Sequence, residues 1–175
     1  MLSFLKLEFR TFIFVVEFDS ESAKKLIEGI EITKRTSIKG FPSGEKFIAH
    51  FSKLRFRRND MVIVFLGYNF LDDYNHALMN GIEILESIKL INPKVEVIMM
   101  AEEDENEYGA YVMKLGAHAF IPKDVNLITR ANNIILHLCG KRNFNSKKYF
   151  LRISFIAWLI TLLALIVSLI LSYLL

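Results

Sequence analysis

The residues with chemical potential in this chain stand where apolar runs end. Four such runs are each followed by one residue of interest: Glu17, Gly67, Ala101 and Lys123. Only the acid and the amine carry a functional group, and neither is a nucleophile supported by a base. No Gly-rich phosphate loop accompanies them. The sequence therefore argues against an enzyme.

A parallel sheet would bring these four residues together. Strand-like and helix-like patterns alternate five times between Thr11 and Leu138, which is typical of an α/β domain with helices on both faces of its sheet. The run from Met61 to Leu66 is continuously apolar, as expected for a central strand that is covered on both faces. Functional groups in such sheets gather at the carboxyl ends of the strands.

The predicted elements follow local signals. The predicted strands cover residues 11–16, 32–38, 61–66, 95–100 and 119–121. Asp19 or Ser20, Ser43 and Asn80 can each cap a helix, and Glu83 completes a capping box with Asn80. A further helix is predicted around residues 108–115, with Gly116 as its end signal, and another over 126–138.

Charge is unevenly distributed along the chain. The chain has 22 basic and 19 acidic residues, and all acids lie at or before Asp124, where 16 of the basic residues also lie. The other six basic residues follow Asp124 without any acid. A basic tail can bind nucleic acid, but the stretch that comes after these charges argues against a nucleic-acid partner.

That stretch, Ile153 to Leu175, contains no charged residue. At about 1.5 Å per residue, a helix of this length covers roughly the 30 Å hydrocarbon core of a bilayer. We expect an N-terminal extension (1–10), an α/β domain (11–138), a basic linker (139–149) and a transmembrane helix (150–175) in contact with lipid. The expected membrane-interface residues are Lys141, Arg142, Lys147, Lys148, Arg152 and Trp158. The positive-inside rule then places the domain in the cytoplasm, with a single pass of the membrane.

Three weaker signals stay open. Small residues recur along the apolar segment, at Ala157, Thr161, Ala164 and Ser168, and are compatible with a homodimer as well as with ordinary membrane-helix composition. Basic residues at 53, 55, 57 and 58 could meet anionic lipid or nucleic acid, or simply form a solvated helix end. The four histidines and Cys139 show no metal-ligand spacing, so no metal or other cofactor is expected.

Several motifs together resemble the receiver domain of bacterial two-component response regulators. They are the runs at 62–69 (VIVFLGYN), 79–83 (MNGIE), 92–93 (NP) before 97–99 (VIM), 114–117 (KLGA) and 120–123 (FIPK). The likeness covers Thr11 to Leu138 in register. It implies a flavodoxin-like (βα)₅ fold with a parallel sheet in the order 2-1-3-4-5, here followed by one C-terminal transmembrane helix.

The resemblance also implies a phosphoryl-transfer pocket that this chain has lost. A working receiver has an acidic pair that holds Mg²⁺, an aspartate that accepts the phosphoryl group, a hydroxyl residue and a lysine. The corresponding residues here are Glu17 and Phe18, Gly67, Ala101 and Lys123, and Phe120 stands at the place of the aromatic that reorients on activation. Glycine offers no nucleophile.

The chain is therefore expected to be a degenerate receiver, or pseudo-receiver: a membrane-anchored interaction module that works without phosphorylation or Mg²⁺. Its partner would be a sensor kinase or another regulator at the bacterial inner membrane. The alternative is an authentic phosphorelay regulator that uses an unconventional acceptor. We further expect Glu17 to face Lys123 and to lock one conformation, and Phe18 to fill apolar space.

Overall fold

The structure is a computed structural model that describes residues 9–31, 33, 35–68, 79–102 and 109–174, without the side chains of 145–152, 164 and 167–174. Its elements in chain order are β1 (Thr11–Val16), α1 (Ser20–Gly29), β2 (Thr36–Phe41), α2 (Gly44–Phe51), β3 (Met61–Gly67), α3 (Gly81–Ile91), β4 (Glu96–Ala101), α4 (Gly109–Lys114), β5 (Ala119–Pro122) and α5 (Leu127–Leu174). The chain divides into two compact units, Met1–Leu136 and His137–Leu175.

The first unit contains a five-stranded sheet in the order β2-β1-β3-β4-β5, and all four strand pairs are parallel. The predicted flavodoxin-like sheet is thus confirmed. All seven residues of the central strand β3 are buried, as its continuous apolar run predicts. Its two neighbours, β1 and β4, each have five of six residues buried, so these three strands form the middle of the core.

Predicted capping residues lie at the N-termini of three helices. The Asp19 carboxylate accepts hydrogen bonds from the backbone N–H groups of Glu21 and Ser22 at the start of α1. The Ser43 hydroxyl accepts one from Lys46 at the start of α2. Asn80 and Glu83 form the expected capping box of α3. These bonds satisfy backbone donors that a helix leaves without an internal partner.

Two predicted boundaries were wrong. The second strand covers Thr36–Phe41 rather than 32–38, because Phe41 is buried in a cluster of phenylalanine rings around Phe14 and Phe47. The helix predicted over 126–138 does not end at Leu138, since α5 covers Leu127–Leu174 and includes the residues of the predicted linker 139–149. A single glycine such as Gly140 costs a helix only about 1 kcal/mol, which is too little to end it without a proline.

Arg10 and Asp60 join the residues that precede β1 and β3. The guanidinium donates from Nε to Oδ1 at 3.0 Å and from its terminal nitrogen to Oδ2 at 2.6 Å, and Asp60 also accepts from the backbone N–H of Arg57. Burial raises the pKa of Asp60, but the hydrogen bond from Arg10 and the one from Arg57 lower it more, so its pKa lies below the usual value.

Asp60→Asn is therefore expected to destabilise the protein at neutral pH by about 1 kcal/mol. Because the folded pKa is depressed, the carboxylate stabilises the fold above the unfolded pKa of about 3.9, and this stabilisation is lost as the pH falls through the folded pKa. Urea unfolding of both proteins across the acid range should show their difference shrinking below about pH 4. Glu28→Gln, at an exposed acid, is the control, and an Asp60→Asn cost that does not change with pH would contradict this assignment.

Asn132 ties α5 to the end of α1. Its amide donates to the carbonyl of Gly29 at 2.9 Å, and its side-chain oxygen accepts from the backbone N–H of Glu31 at 3.0 Å. Asn132→Ala removes both bonds and should lower the free energy of unfolding by about 2 kcal/mol. The exposed neighbour Asn133 is a matched control, since Asn133→Ala should change it by less than about 0.5 kcal/mol. Equal effects at the two positions, measured by thermal unfolding, would show that the bridge contributes nothing.

In the second unit, the described apolar side chains from Ile153 to Ile166 are exposed. Among the residues that the structure describes, no helix has both the length and the apolar character needed to cross a membrane. The predicted transmembrane helix over 150–175 is therefore not supported by the structure.

Candidate functional site

The carboxyl ends of the strands bring the sequence-predicted pocket together. Val16 of β1 pairs with Leu66 of β3, so the next residues, Glu17 and Gly67, lie side by side. Backbone hydrogen bonds continue just past the strand ends. Glu17 donates to the carbonyl of Phe41 at 3.0 Å, and Lys123 donates to that of Ala101 at 2.8 Å. The backbone hydrogen bonding of the sheet thus extends to Glu17 and Lys123.

Glu17 and Lys123 form a buried ion pair. Lys123 Nζ lies 3.0 Å from Glu17 Oε2, and the two side chains are only 14% and 3% exposed, respectively. The expected facing of the two residues is confirmed. The ammonium approaches Oε2 outside hydrogen-bond geometry, so the contact is electrostatic rather than a directed hydrogen bond. The other oxygen, Oε1, accepts from the backbone N–H of Asp19 at 3.3 Å.

Gly67 leaves the space that the Glu17 carboxylate occupies. A Cβ placed on Gly67 would lie 2.6 Å from Glu17 Oε2 and 3.3 Å from Oε1. Any side chain at position 67 would therefore require the Glu17 carboxylate to shift from its present position beside Lys123. The present position of the Glu17 carboxylate is therefore possible only because residue 67 is a glycine.

These residues do not suit a magnesium ion. Mg²⁺ requires about six oxygen ligands in octahedral geometry. Glu17 supplies one carboxylate, which already contacts the Lys123 ammonium, and neither Phe18 nor Gly67 offers a side-chain oxygen.

The remaining pocket positions contribute shape rather than chemistry. Ala101 is 1% exposed, and its methyl group donates no hydrogen bond. The Phe120 ring is partly buried against the core and lies against α4, where a Cβ on Gly109 would be 3.2 Å from it. Phe18 is 51% exposed, so the expectation that it fills apolar space was wrong. It follows the strand end on the side that faces solvent.

Two residues of the site were not predicted. Glu102 approaches Lys123 Nζ with Oε1 at 3.6 Å, so the lysine lies between two carboxylates. Asp19 contributes its backbone N–H to Glu17. Hydrogen bonds from the Ser22 hydroxyl and from the backbone of Glu21 and Ser22 lower the pKa of Asp19 itself. Glu102 directly follows the fourth strand, and this position in the sequence could have identified it as a residue of the site.

The predicted membrane-interface residues are only partly described. Lys141 is exposed, Arg142 is half-buried, and Trp158 is 57% exposed with its ring stacked on Phe155. The side chains of the other three, Lys147, Lys148 and Arg152, lie outside the described residues. Their role at a membrane stays a prediction.

The fold and the strand-end pocket define a class of signalling domain. The family model for the response regulator receiver domain matches residues 13–132, more than two thirds of the chain. The chain therefore belongs to the response regulator receiver domain family. Membership of this family implies a place in two-component signalling.

Solved structures of receivers are similar to this chain. The CheY-like receiver domain protein of Methanospirillum hungatei is 18% identical with a TM-score of 0.62, over 78% of this chain and 98% of its own. The receiver domain of a putative LuxO repressor protein from Vibrio parahaemolyticus is 15% identical with a TM-score of 0.63, over 78% and 95%. The BeF3-activated receiver domain of DrrB, from Thermotoga maritima, is 26% identical with a TM-score of 0.55, over 72% and 97%.

The curated proteins contain no significant match to this chain. The similarities under 25% identity establish the fold alone, so the function must be argued from the pocket.

Proposed function

We propose that this chain is a pseudo-receiver, a protein-interaction module of a two-component-like system that works without phosphoryl transfer. The observation that carries the proposal is the occupation of the phosphoacceptor position. Where the family pattern has an aspartate side chain, this chain has Gly67, and the Glu17 carboxylate fills the space in ion contact with Lys123.

The internal ion pair substitutes for the ligands of a working receiver. Lys123 would ordinarily be free to bind a phosphoryl oxygen, but here it already contacts a carboxylate. Ala101 has no hydroxyl for such a group. The Glu17 and Lys123 charges are thus paired with each other inside the pocket, which favours a constant surface over a switch.

A phosphoryl mimic tests this proposal without covalent chemistry. Adding beryllium fluoride and Mg²⁺ to the full isotope-labelled chain should leave the backbone amide resonances around Glu17, Gly67 and Lys123 unshifted. A catalytically competent receiver, treated in the same way, serves as the positive control. Saturable shifts at these residues in this chain would overturn the proposal and favour the authentic phosphorelay alternative.

The partner class follows from the family. A sensor kinase or a second regulator is the proposed partner, and binding should not depend on acetyl phosphate or Mg²⁺. Crosslinking from native membranes, performed with and without phosphodonor, measures this dependence. A partner captured only in the presence of phosphodonor would contradict phosphorylation-independent action.

We also propose that the chain works at the cytoplasmic membrane, with its receiver domain in the cytoplasm. This location is supported by the sequence, since Ile153 to Leu175 carries no charge and follows a basic stretch, and by the exposure of its described apolar side chains. Vesicle flotation of the full chain tests the location. A variant in which Leu162, Leu163 and Ile166 are replaced by lysine should stay at the bottom of the gradient, and equal flotation of both would contradict the role of this segment.

A further inference from the structure

The two edges of the sheet carry opposite charge. Because all strands are parallel, the segments that precede the strands lie at one edge, which we call the amino edge, and the segments that follow them lie at the other. Among the described residues, the segments at the carboxyl edge hold four acids and one lysine. They are Glu17, Asp19, Glu102, Asp124 and Lys123.

The amino edge shows the reverse pattern. Its described residues (9–10, 31, 33, 35, 52–60, 92–95 and 115–118) include seven lysine or arginine residues and two acids. The basic residues are Arg10, Arg35, Lys53, Arg55, Arg57, Arg58 and Lys94, and the acids are Glu31 and Asp60. All seven basic residues are exposed. One of the two acids, Asp60, is already paired with Arg10.

The excess of basic residues at the amino edge does not arise because the domain as a whole is basic. Up to Asp124 the chain has more acidic than basic residues, 19 against 16, so the amino edge stands out against a net negative background. Lys53 and Arg55 form no ion pair with any residue that the structure describes. Their charges are available to an external anion.

We infer that the amino edge of the sheet is a docking surface for anionic phospholipid headgroups. Basic residues close to an anionic membrane are attracted by its negative surface potential over roughly one Debye length, about 8 to 10 Å. Seven exposed cations spread across the starts of four strands form a broad face rather than a pocket for one small anion. A flat polyanionic surface is the ligand that matches this shape.

Chain connectivity within the first unit points to the same edge. Asn132 of α5 is bonded to Gly29 and Glu31, at the end of α1, so the helix has already reached the amino edge at this residue. The first unit ends four residues later, at Leu136. The chain thus leaves this unit at the amino edge. The basic and apolar stretches for which we propose a membrane location follow in the sequence. To this extent the inference rests on that proposed location.

A nucleic acid fits the amino edge less well. Proteins that bind single strands combine cations with exposed aromatic rings on which bases stack. The aromatic residues in the described segments of this edge are Phe9, which is buried, and Phe56, which packs on Phe12 and Phe51 inside the phenylalanine cluster. The edge therefore offers charge without a stacking surface.

Amine labelling in vesicles tests the inference on the full chain. The chain is reconstituted into neutral phosphatidylcholine vesicles and into vesicles that also contain anionic phosphatidylglycerol, and lysines are acetylated with a water-soluble reagent. Lys53 and Lys94 should label several-fold more slowly in the anionic vesicles, and high salt should remove the difference. Lys46, an exposed lysine near the other end of α2, should label equally in both.

Charge reversal provides the matched comparison. Lys53→Glu with Arg55→Glu should remove most of the protection of Lys94 in anionic vesicles, because each basic residue close to the surface strengthens binding by about fivefold. Lys46→Glu should leave this protection unchanged. Equal labelling of Lys53 and Lys94 in the two vesicle types would overturn the inference, as would protection that duplex DNA confers and anionic vesicles do not.

Flotation of the same samples separates this inference from the proposed location. A chain that floats with neutral vesicles but shows no lysine protection in anionic ones supports the location and refutes the docking surface. A chain that floats only with anionic vesicles, and no longer does so after Lys53→Glu and Arg55→Glu, supports the docking surface and refutes attachment through the apolar segment.

Discussion

Replacing Gly67 with aspartate is expected to destabilise the fold without creating a functional phosphoacceptor. The new Cβ would lie 2.6 Å from Glu17 Oε2, and the new carboxylate would add a second negative charge beside a buried one. Overpacking and like-charge repulsion together should cost about 3 kcal/mol in the free energy of unfolding. Urea denaturation measures this cost, and mass spectrometry after treatment with acetyl phosphate and Mg²⁺ should find no phosphorylated product.

A double-mutant cycle isolates the steric coupling. Gly67→Ala in the native background should cost about 1 to 2 kcal/mol, because the methyl group displaces the Glu17 carboxylate. In a Glu17→Ala background the same change should cost almost nothing, since the space is then empty. An equal cost of Gly67→Ala in both backgrounds would show that Glu17 does not fill the vacated position.

Removing the amine of the ion pair should have an effect of similar size. Lys123→Ala leaves the Glu17 carboxylate, only 3% exposed, without a neutralising cation, and should destabilise the protein by about 3 kcal/mol. Replacing both partners with apolar residues of similar size, Glu17→Leu with Lys123→Met, should restore stability to within about 1 kcal/mol. Thermal and urea unfolding measure both variants.

Glu102→Gln is the matched control for this pair. Glu102 also faces Lys123, at 3.6 Å, but its side chain is 58% exposed, so its removal should change stability by less than about 0.5 kcal/mol. If Lys123→Ala left the unfolding midpoint unchanged, the ion pair could not be what fixes the pocket in one state.

Much of the fold was predictable because local and long-range signals agree. The alternation of apolar runs with capped helices predicted five parallel strands, and the register of β1 against β3 places Glu17 beside Gly67 as the resemblance implied. The boundaries of β2 were less predictable. Half of the residues of Thr36–Phe41 are exposed, and the strand carries polar residues. The ring packing of Phe41 on Phe14, a contact distant in sequence, therefore decided where the strand ends.

The detailed site was only partly predictable. Residue types showed that Gly67, Ala101 and Phe18 supply no phosphoryl chemistry, and they suggested the pairing of Glu17 with Lys123. Residue types did not show that the Glu17 carboxylate occupies the space beside Gly67. That placement depends on the rotamer of Glu17 and on the hydrogen bond that it accepts from the backbone N–H of Asp19. The exposure of Phe18 was missed for a similar reason, because an apolar residue just after a strand has no periodic pattern to fix its direction.

The charge asymmetry of the sheet could not be found in the sequence alone. Its basic residues are spread from Arg10 to Lys94, and only the parallel topology gathers them at one edge. In the linear sequence, the residues at 53 to 58 look like an ordinary solvated helix end. The topology adds the residues that precede the other strands.

The intact mass of the full chain after incubation with acetyl phosphate and Mg²⁺ tests most directly whether this chain is a pseudo-receiver. We expect an unchanged mass at every time point, while a competent receiver in the same tube acquires one phosphoryl group. A phosphorylated species that is lost on treatment with hydroxylamine, as expected for an acyl phosphate, would show that the chain is an authentic phosphorelay regulator, and peptide mapping would then identify the unconventional acceptor.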